Sequence, residues 1–205
     1  MPDLEWLPNP PDGTPIGVGF DGSINNDWTA IRAQTMDGYS FTPRWGPSNL
    51  GTWWNPAEHG GLIPHSEVDV AVDEIFDRFL VVRMYCDPED WDTDIDRWQL
   101  RHGAERVIVW PTNSVNRMYP EIRRFEADLR QGLITQDGCP RTAQAMDNAR
   151  KVGKPGQKYI LGKPNETQKI DLAMTSILAN AAVRDALAGG WTPPKPRTKV
   201  RVWRS

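Results

Sequence analysis

Three aspartates stand where they could hold a divalent cation. Asp21 closes the apolar run IGVGF and precedes Gly22, and Asp87 closes the run LVVRMYC and precedes Pro88. Asp171 opens a long apolar, periodic stretch within Lys169-Ile170-Asp171. Each has an ordinary structural explanation. Asp-Gly is a common turn pair, Asp before Pro is a favoured helix start, and an acid in a first helical turn gains ~0.3–1 kcal/mol from the helix dipole. The combination says more. Two acids at the ends of apolar strands, and a third opening a helix against the same sheet, can converge on one point. Mg²⁺ and Mn²⁺ prefer hard oxygen ligands. Two such ions ~3.5–4 Å apart can activate a water and stabilise the leaving oxygen of a phosphodiester. Neighbouring carboxylates need those cations, because without them they repel one another.

The elements that must position these acids follow from hydrophobic pattern. Residues 16–20 read as a strand, residues 28–35 alternate as a second, and residues 38–41 follow after a Met-Asp-Gly turn, making a three-strand meander. Residues 43–65, rich in Gly, Pro, Asn and Trp, read as a long ordered loop whose Trp45, Trp53 and Trp54 either pack beneath it or stack on bases. The spacing of Val68, Ala71, Val72, Ile75 and Phe79 predicts a helix over 66–79, with Ser66 as a candidate N-cap. Residues 80–86 are a buried strand, 88–102 a helix, and 106–110 another strand. Helices are expected over 115–130 and 141–151, then a hairpin or extended arm over 152–164. Residues 170–187 form the clearest helix, with one apolar face made by Ile170, Ala173, Met174, Ile177, Leu178 and Ala181, ended by Gly189-Gly190. The order implies an α/β fold with a central mixed sheet flanked by helices.

Composition narrows the classes. The 205 residues fit one domain: a Pro-rich leader over 1–15, a core over 16–190, and a basic, Pro-rich tail over 191–205. No apolar run reaches the ~20 residues of a membrane span, and the N-terminus lacks the order of a secretory signal, so a cytoplasmic protein is expected. Cys86 and Cys139 lack metal-site spacing and read as reduced thiols, and His59, His65 and His102 are too scattered for a zinc cluster. The net charge of −3 conceals an asymmetry: residues 1–100 carry 5 Lys/Arg against 18 Asp/Glu, and residues 101–205 carry 19 against 9. Either the halves neutralise each other across the fold, or one supplies carboxylates and the other meets phosphate.

At the three acids the chain resembles the C-terminal nuclease domain of phage terminase large subunits, an RNase H-like fold. Gly19-Phe20-Asp21-Gly22-Ser23 with Asn26-Asp27-Trp28-Thr29-Ala30 is similar to that family's first motif. Met84-Tyr85-Cys86-Asp87-Pro88 resembles its second acidic motif. Asp137-Gly138-Cys139-Pro140 before Asp147-Asn148-Ala149 resembles its Asn-Ala helix, and Lys163-Pro164 with Lys169-Ile170-Asp171-Leu172-Ala173-Met174 its closing segment. The motifs are short; their order and spacing over most of the chain carry the likeness. It implies a metal-dependent endonuclease that cuts concatemeric viral DNA during genome packaging. Asp21, Asp87 and Asp171 would be the triad, with Asp21 bridging two Mg²⁺ or Mn²⁺ ions, and Asp27 an accessory acid or further ligand.

The same resemblance implies double-stranded DNA as substrate, and a packaging ATPase, a small terminase subunit and a portal as partners of a monomeric domain. Arg150, Lys151, Lys154, Lys158, Lys163 and Lys169 in one arm-like stretch suit contact with backbone phosphate, as do the basic residues of the tail. No GxxxxGK[ST] phosphate loop is present, so a packaging motor is expected on a removed domain or a separate chain. A RuvC-like junction resolvase would share fold and acids. A proofreading exonuclease would want Asp-x-Glu where the chain has Asp21-Gly22-Ser23. Sugar-kinase and actin-like ATPases share the look of the GVGFDGS turn but need a second lobe. A non-catalytic DNA or portal docking module is the alternative of another class.

Overall fold

A computed structural model of the chain describes residues 6–24 and 27–193. The expected meander is present: β1 (Pro15–Asp21) pairs antiparallel with β2 (Thr29–Thr35), and β2 with β3 (Tyr39–Phe41). Residues 43–65 are more ordered than a loop. β4 (Arg44–Trp45) pairs with β5 (Leu50–Gly51), and β6 (Trp53–Trp54) adds to the start of β2. Trp45 and Trp54 are buried there, and Trp53 packs on Trp6 of the leader with ring centroids 5.7 Å apart. The leader itself lies on the domain, with the Leu7 amide donating to the Asp137 carbonyl at 2.8 Å.

Crossovers build the rest of the sheet. α1 (His65–Arg78) leads to β7 (Leu80–Cys86), which runs parallel to β1, and α2 (Asp92–His102) leads to β8 (Val107–Val109), parallel to β7. α3 (Val115–Arg130) precedes β9 (Thr135–Gln136), which joins β3 in parallel. α4 (Pro140–Asn148), a hairpin of β10 (Arg150–Lys154) and β11 (Lys158–Gly162), and α5 (Asp171–Ala188) complete the order. The strands run β8-β7-β1-β2-β3-β9, with β6 beside β2, in one mixed sheet. Helices cover both of its faces, so the α/β expectation holds.

Three helix boundaries and the burial of α5 differ from the sequence reading. α1 begins at His65 behind Pro64 with no side-chain cap, so Ser66 is not its N-cap. α2 begins at Asp92, not residue 88, because Asp90 adopts a left-handed φ of 64° that helix cannot propagate through. α4 stops at Asn148, and Ala149 turns extended, which puts Arg150 and Lys151 on β10 instead of on the helix. α5 is buried nearly all round from Asp171 to Val183, where one apolar face was expected. A helix packed between a sheet and other helices needs apolar or small residues on every side.

Strand alternation divides the core. Ile16, Val18 and Phe20 of β1 pack with Ile31 and Ala33 of β2 against Val68, Val72 and Ile75 of α1 and Trp91, Ile95 and Trp98 beside α2. The opposite face of β1 presents Gly17 and Gly19 to α5. A Cβ on Gly19 would overlap the Thr175 carbonyl and stand 2.7 Å from Leu178 Cβ; one on Gly17 would stand 2.8 Å from Val183 Cγ2. Glycine at both positions therefore lets the helix lie directly on the strand. Asp21 continues this parity, 17, 19, 21, onto the α5 side. Behind it, Tyr85 of β7 packs with Met118, Ile122 and Phe125 of α3 and Met174, Ile177 and Leu178 of α5.

A buried ion pair ties the layers on this face. The Arg32 guanidinium donates to both Asp137 carboxylate oxygens at 3.1 Å, to Ser40 at 2.9 Å, to Gln136 at 2.8 Å and to Ser176 of α5 at 3.2 Å. Asp137 also accepts from the Thr42 amide at 2.7 Å and the Cys139 amide at 3.1 Å. Both charges are fully buried and surrounded by partners.

Candidate functional site

The acids gather at one edge of the sheet. β1 and β7 are parallel neighbours with Phe20 opposite Cys86, so Asp21 and Asp87 follow at the same carboxyl edge, and the Asp87 amide donates to the Phe20 carbonyl at 3.0 Å. α5 lies along β1 with its first residue, Asp171, at this edge. Asn148 at the end of α4 fixes the approach to that helix, its side-chain amide donating to the Lys169 carbonyl at 2.9 Å. Asp21, Asp27, Asp87, Glu89, Asp90, Thr112, Lys163 and Asp171 all line one open basin.

The turn after Asp21 is held from below. A Cβ on Gly22 would overlap the Trp91 indole, whose Nε1 donates to the Ser23 carbonyl at 3.3 Å. Trp91 is fully buried between Phe20 and the His65 ring, which stacks on it at 3.8 Å. Asp87 does not cap α2. Its carboxylate turns across the sheet edge and accepts from the Thr112 amide at 3.3 Å and from the Thr112 hydroxyl.

The charges record the crowding. Desolvation, and then the charges of Asp171, Asp87, Asp27 and Glu89, raise the Asp21 carboxyl well above the usual carboxylate range. Desolvation and then Asp27 push Asp171 up to about 7. Asp87 is raised by desolvation, which the Thr112 and Glu89 hydrogen bonds partly offset. Asp27 moves the other way. Desolvation would raise it, but Lys163, at 2.6 Å, and Lys169, at 2.7 Å, donate to its carboxylate and leave it lowered.

These residues fit a divalent cation. Asp171 Oδ2 is buried and has no hydrogen-bond partner among the described residues. A positive charge in the basin would favour the ionised form of both raised carboxyls, Asp21 and Asp171. Among the described residues no group of three or more His, Cys, Asp or Glu forms a preformed metal cage. The acids line a basin that a cation would draw together.

The expected phosphate-binding residues divide into two groups. Lys163 lines the basin, and Lys169 lines an adjoining cleft. Arg150, Lys151 and Lys154 lie on β10 and Lys158 on β11, in a hairpin seated on α3. There Lys151 pairs with Glu126 at 2.8 Å and Lys158 donates to Asn116 at 2.6 Å. The basic residues of the tail, Lys195 to Arg204, lie outside the described residues. Glu89, Asp90 and Thr112 were missed by sequence reasoning. Thr112 carried a usable signal: it follows β8, whose parallel pairing with β7 opens both strand ends on the same edge.

No family model matches the chain. Its fold is nevertheless that of phage large-terminase nucleases, the RNase H-like fold. The HK97 bacteriophage large terminase aligns with a TM-score of 0.63 and 17% identity over 86% of this chain and 40% of that one. The large terminase nuclease from thermophilic phage G20c with bound magnesium aligns with a TM-score of 0.60 and 12% identity over 87% of this chain and 90% of that one. The same nuclease is known with bound cobalt and with bound zinc. In sequence the chain is similar to the Gene 13 protein of Mycobacterium phage D29, 29% identical over 187 residues, 85% of this chain. It spans 30% of the length of that relative.

Proposed function

We propose that this chain is a divalent-metal-dependent endodeoxyribonuclease that cuts viral DNA during genome packaging, as a terminase nuclease unit. One observation carries the reading: Asp21, Asp87 and Asp171, at the ends of three separate elements, open onto one basin at the carboxyl edge of a sheet with the large-terminase nuclease fold. The metal-bound states of the G20c nuclease favour the same use of the basin here.

Asp21, Asp87 and Asp171 would hold two Mg²⁺ or Mn²⁺ ions. Ions bound there supply a water that ionises near neutral pH and positive charge against the leaving oxygen. Thr112 aims Asp87 into the basin and lowers the cost of its charge. Lys163 and Lys169 hold Asp27 and keep a cationic flank beside the acids. Lys154, Lys158, Arg150 and Lys151 offer a basic hairpin to the DNA backbone, a contact without base readout that suits cleavage at unrelated sequences. The substrate is concatemeric double-stranded DNA. The partners are a packaging ATPase, on the same or a separate chain, a small terminase subunit and a portal.

The test is nicking and linearisation of supercoiled plasmid in Mn²⁺, Mg²⁺ or EDTA, by wild type, Asp21→Asn and Asp87→Asn. Metal-dependent cleavage lost in both variants is expected. Undiminished cleavage by Asp21→Asn, or by wild type in EDTA, would overturn the assignment.

A further inference from the structure

Beside the acidic basin is a second cleft, and the two share Asp171 as a common wall. Its other lining residues include Trp28, Arg141, Gln144, Asn148 and Lys169. Trp28 sits just before β2, half-buried, with the Arg141 guanidinium 5.5 Å above its ring. Arg141 and Gln144 are exposed in the first turns of α4, and among the described residues Arg141 makes no ion pair. An aromatic face, a guanidinium, two carboxamides and an ammonium in one small cleft are the chemistry of a nucleotide: a ring to stack, a phosphate to neutralise and polar edges to bond.

We propose that this cleft is a nucleotide subsite of the nuclease, holding the residue of the cut strand that flanks the scissile phosphate. The inference rests on the nuclease reading and adds residues to it. A strand whose phosphate lies against Asp21, Asp87 and Asp171 has its neighbouring nucleotide at the far side of Asp171, where this cleft opens. Trp28 stacks on the base, and Arg141 meets the adjoining phosphate. Stacking accepts any base, so the subsite fixes the strand without choosing a sequence. Of the tryptophans of residues 43–65, Trp45 and Trp54 are buried in the core, and Trp53 packs on Trp6 and is not among the residues lining this cleft.

The experiment measures binding of a short labelled duplex, in Ca²⁺ to slow hydrolysis, across a salt series. Plasmid cleavage in Mn²⁺ is run beside it. The variants are Trp28→Ala, Trp28→Phe, Arg141→Ala and, as a control for charge alone, Arg106→Ala on the opposite side of the sheet. Trp28→Ala and Arg141→Ala are each expected to bind roughly tenfold more weakly, while Trp28→Phe keeps the stack and stays near wild type. Arg141→Ala should also reduce the slope of log affinity against log salt by about one, which Trp28→Ala should not. The Mn²⁺-induced rise in melting temperature should persist in all four. Should Trp28→Ala fail to fold, Trp28→Phe and Arg141→Ala carry the test. If wild type cleaves and the folded variants bind as tightly as wild type, or no more weakly than Arg106→Ala, the subsite is wrong and the nuclease reading stands. If wild type neither binds nor cleaves, both fall together.

Discussion

Replacing Gly19 by alanine should damage the site without touching any of its acids. The added Cβ would stand 2.7 Å from Leu178 Cβ and 2.8 Å from the Ala179 amide nitrogen, and would overlap the Thr175 carbonyl. Restoring an ordinary carbon contact of ~3.5 Å to Leu178 alone requires α5 to back away by roughly 0.8 Å, and relieving the Thr175 carbonyl requires more. Backbone atoms on both sides cannot rotate aside, so helix and strand must separate. Overpacking of this kind costs about 1–3 kcal/mol, and in a domain this size each kcal/mol lowers the melting temperature by about 2–4 °C. Function should suffer more than stability. Asp171 rides on the first turn of α5 while Asp21 ends the strand, so the shift falls between two members of the proposed triad. A displacement near 1 Å can cost on the order of a hundredfold in rate. Thermal melting and plasmid cleavage in Mn²⁺ are the assays, with Gly19→Ala beside wild type. A variant that melts at the wild-type temperature and cleaves at the wild-type rate would refute the argument that glycine sets the distance between helix and strand.

Three further outcomes are expected. Asp137→Asn, which leaves Arg32 buried without its counter-charge, should cost about 3–5 kcal/mol in urea unfolding; an unchanged midpoint would contradict the buried lock. Asp171 has a folded pKa of about 7, above that of an unfolded carboxyl, so its contribution to stability is present below the unfolded pKa and lost as pH rises through 7. Asp171→Asn should therefore raise the melting temperature of the metal-free protein at pH 8 and change it little at pH 4, and the reverse pattern would sink this reading. Thr112→Val removes the hydroxyl that orients Asp87, and the Mn²⁺ needed for half-maximal cleavage should rise by about tenfold or more. An unchanged metal requirement would show that Thr112 does not tune the acid.

The parts legible in the sequence were those whose cause is local. β1, buried on both faces, reads as the continuous apolar run IGVGF, and the largely apolar LVVRMYC marked β7 to the residue. The end of β1 and the start of α5 placed Asp21 and Asp171 through the same signals. What was not legible depended on distant partners. Asp87-Pro88 has the form of a helix start, but the carboxylate is claimed by Thr112, 25 residues on, and α2 waits until Asp92. Arg150 and Lys151 continued a helical pattern only because polar residues discriminate poorly between helix and strand. Nothing in the spacing of α5 foretold that it would be enclosed, since that depends on α3 and α4 packing over it. Gly17 and Gly19 were read as part of a strand; their reason is the helix that lies on them. Glu89 reaches the basin because α2 starts late, so the misplaced helix start concealed it.

The most direct measurement is crystallographic: anomalous scattering from Mn²⁺ in crystals of the protein grown with a DNA duplex at neutral pH. Two anomalous peaks in the basin, ~3.5–4 Å apart and within bonding distance of Asp21, Asp87 and Asp171, are expected. A basin with no anomalous density at saturating Mn²⁺, or manganese held elsewhere and away from these three carboxylates, would contradict the assignment of the triad.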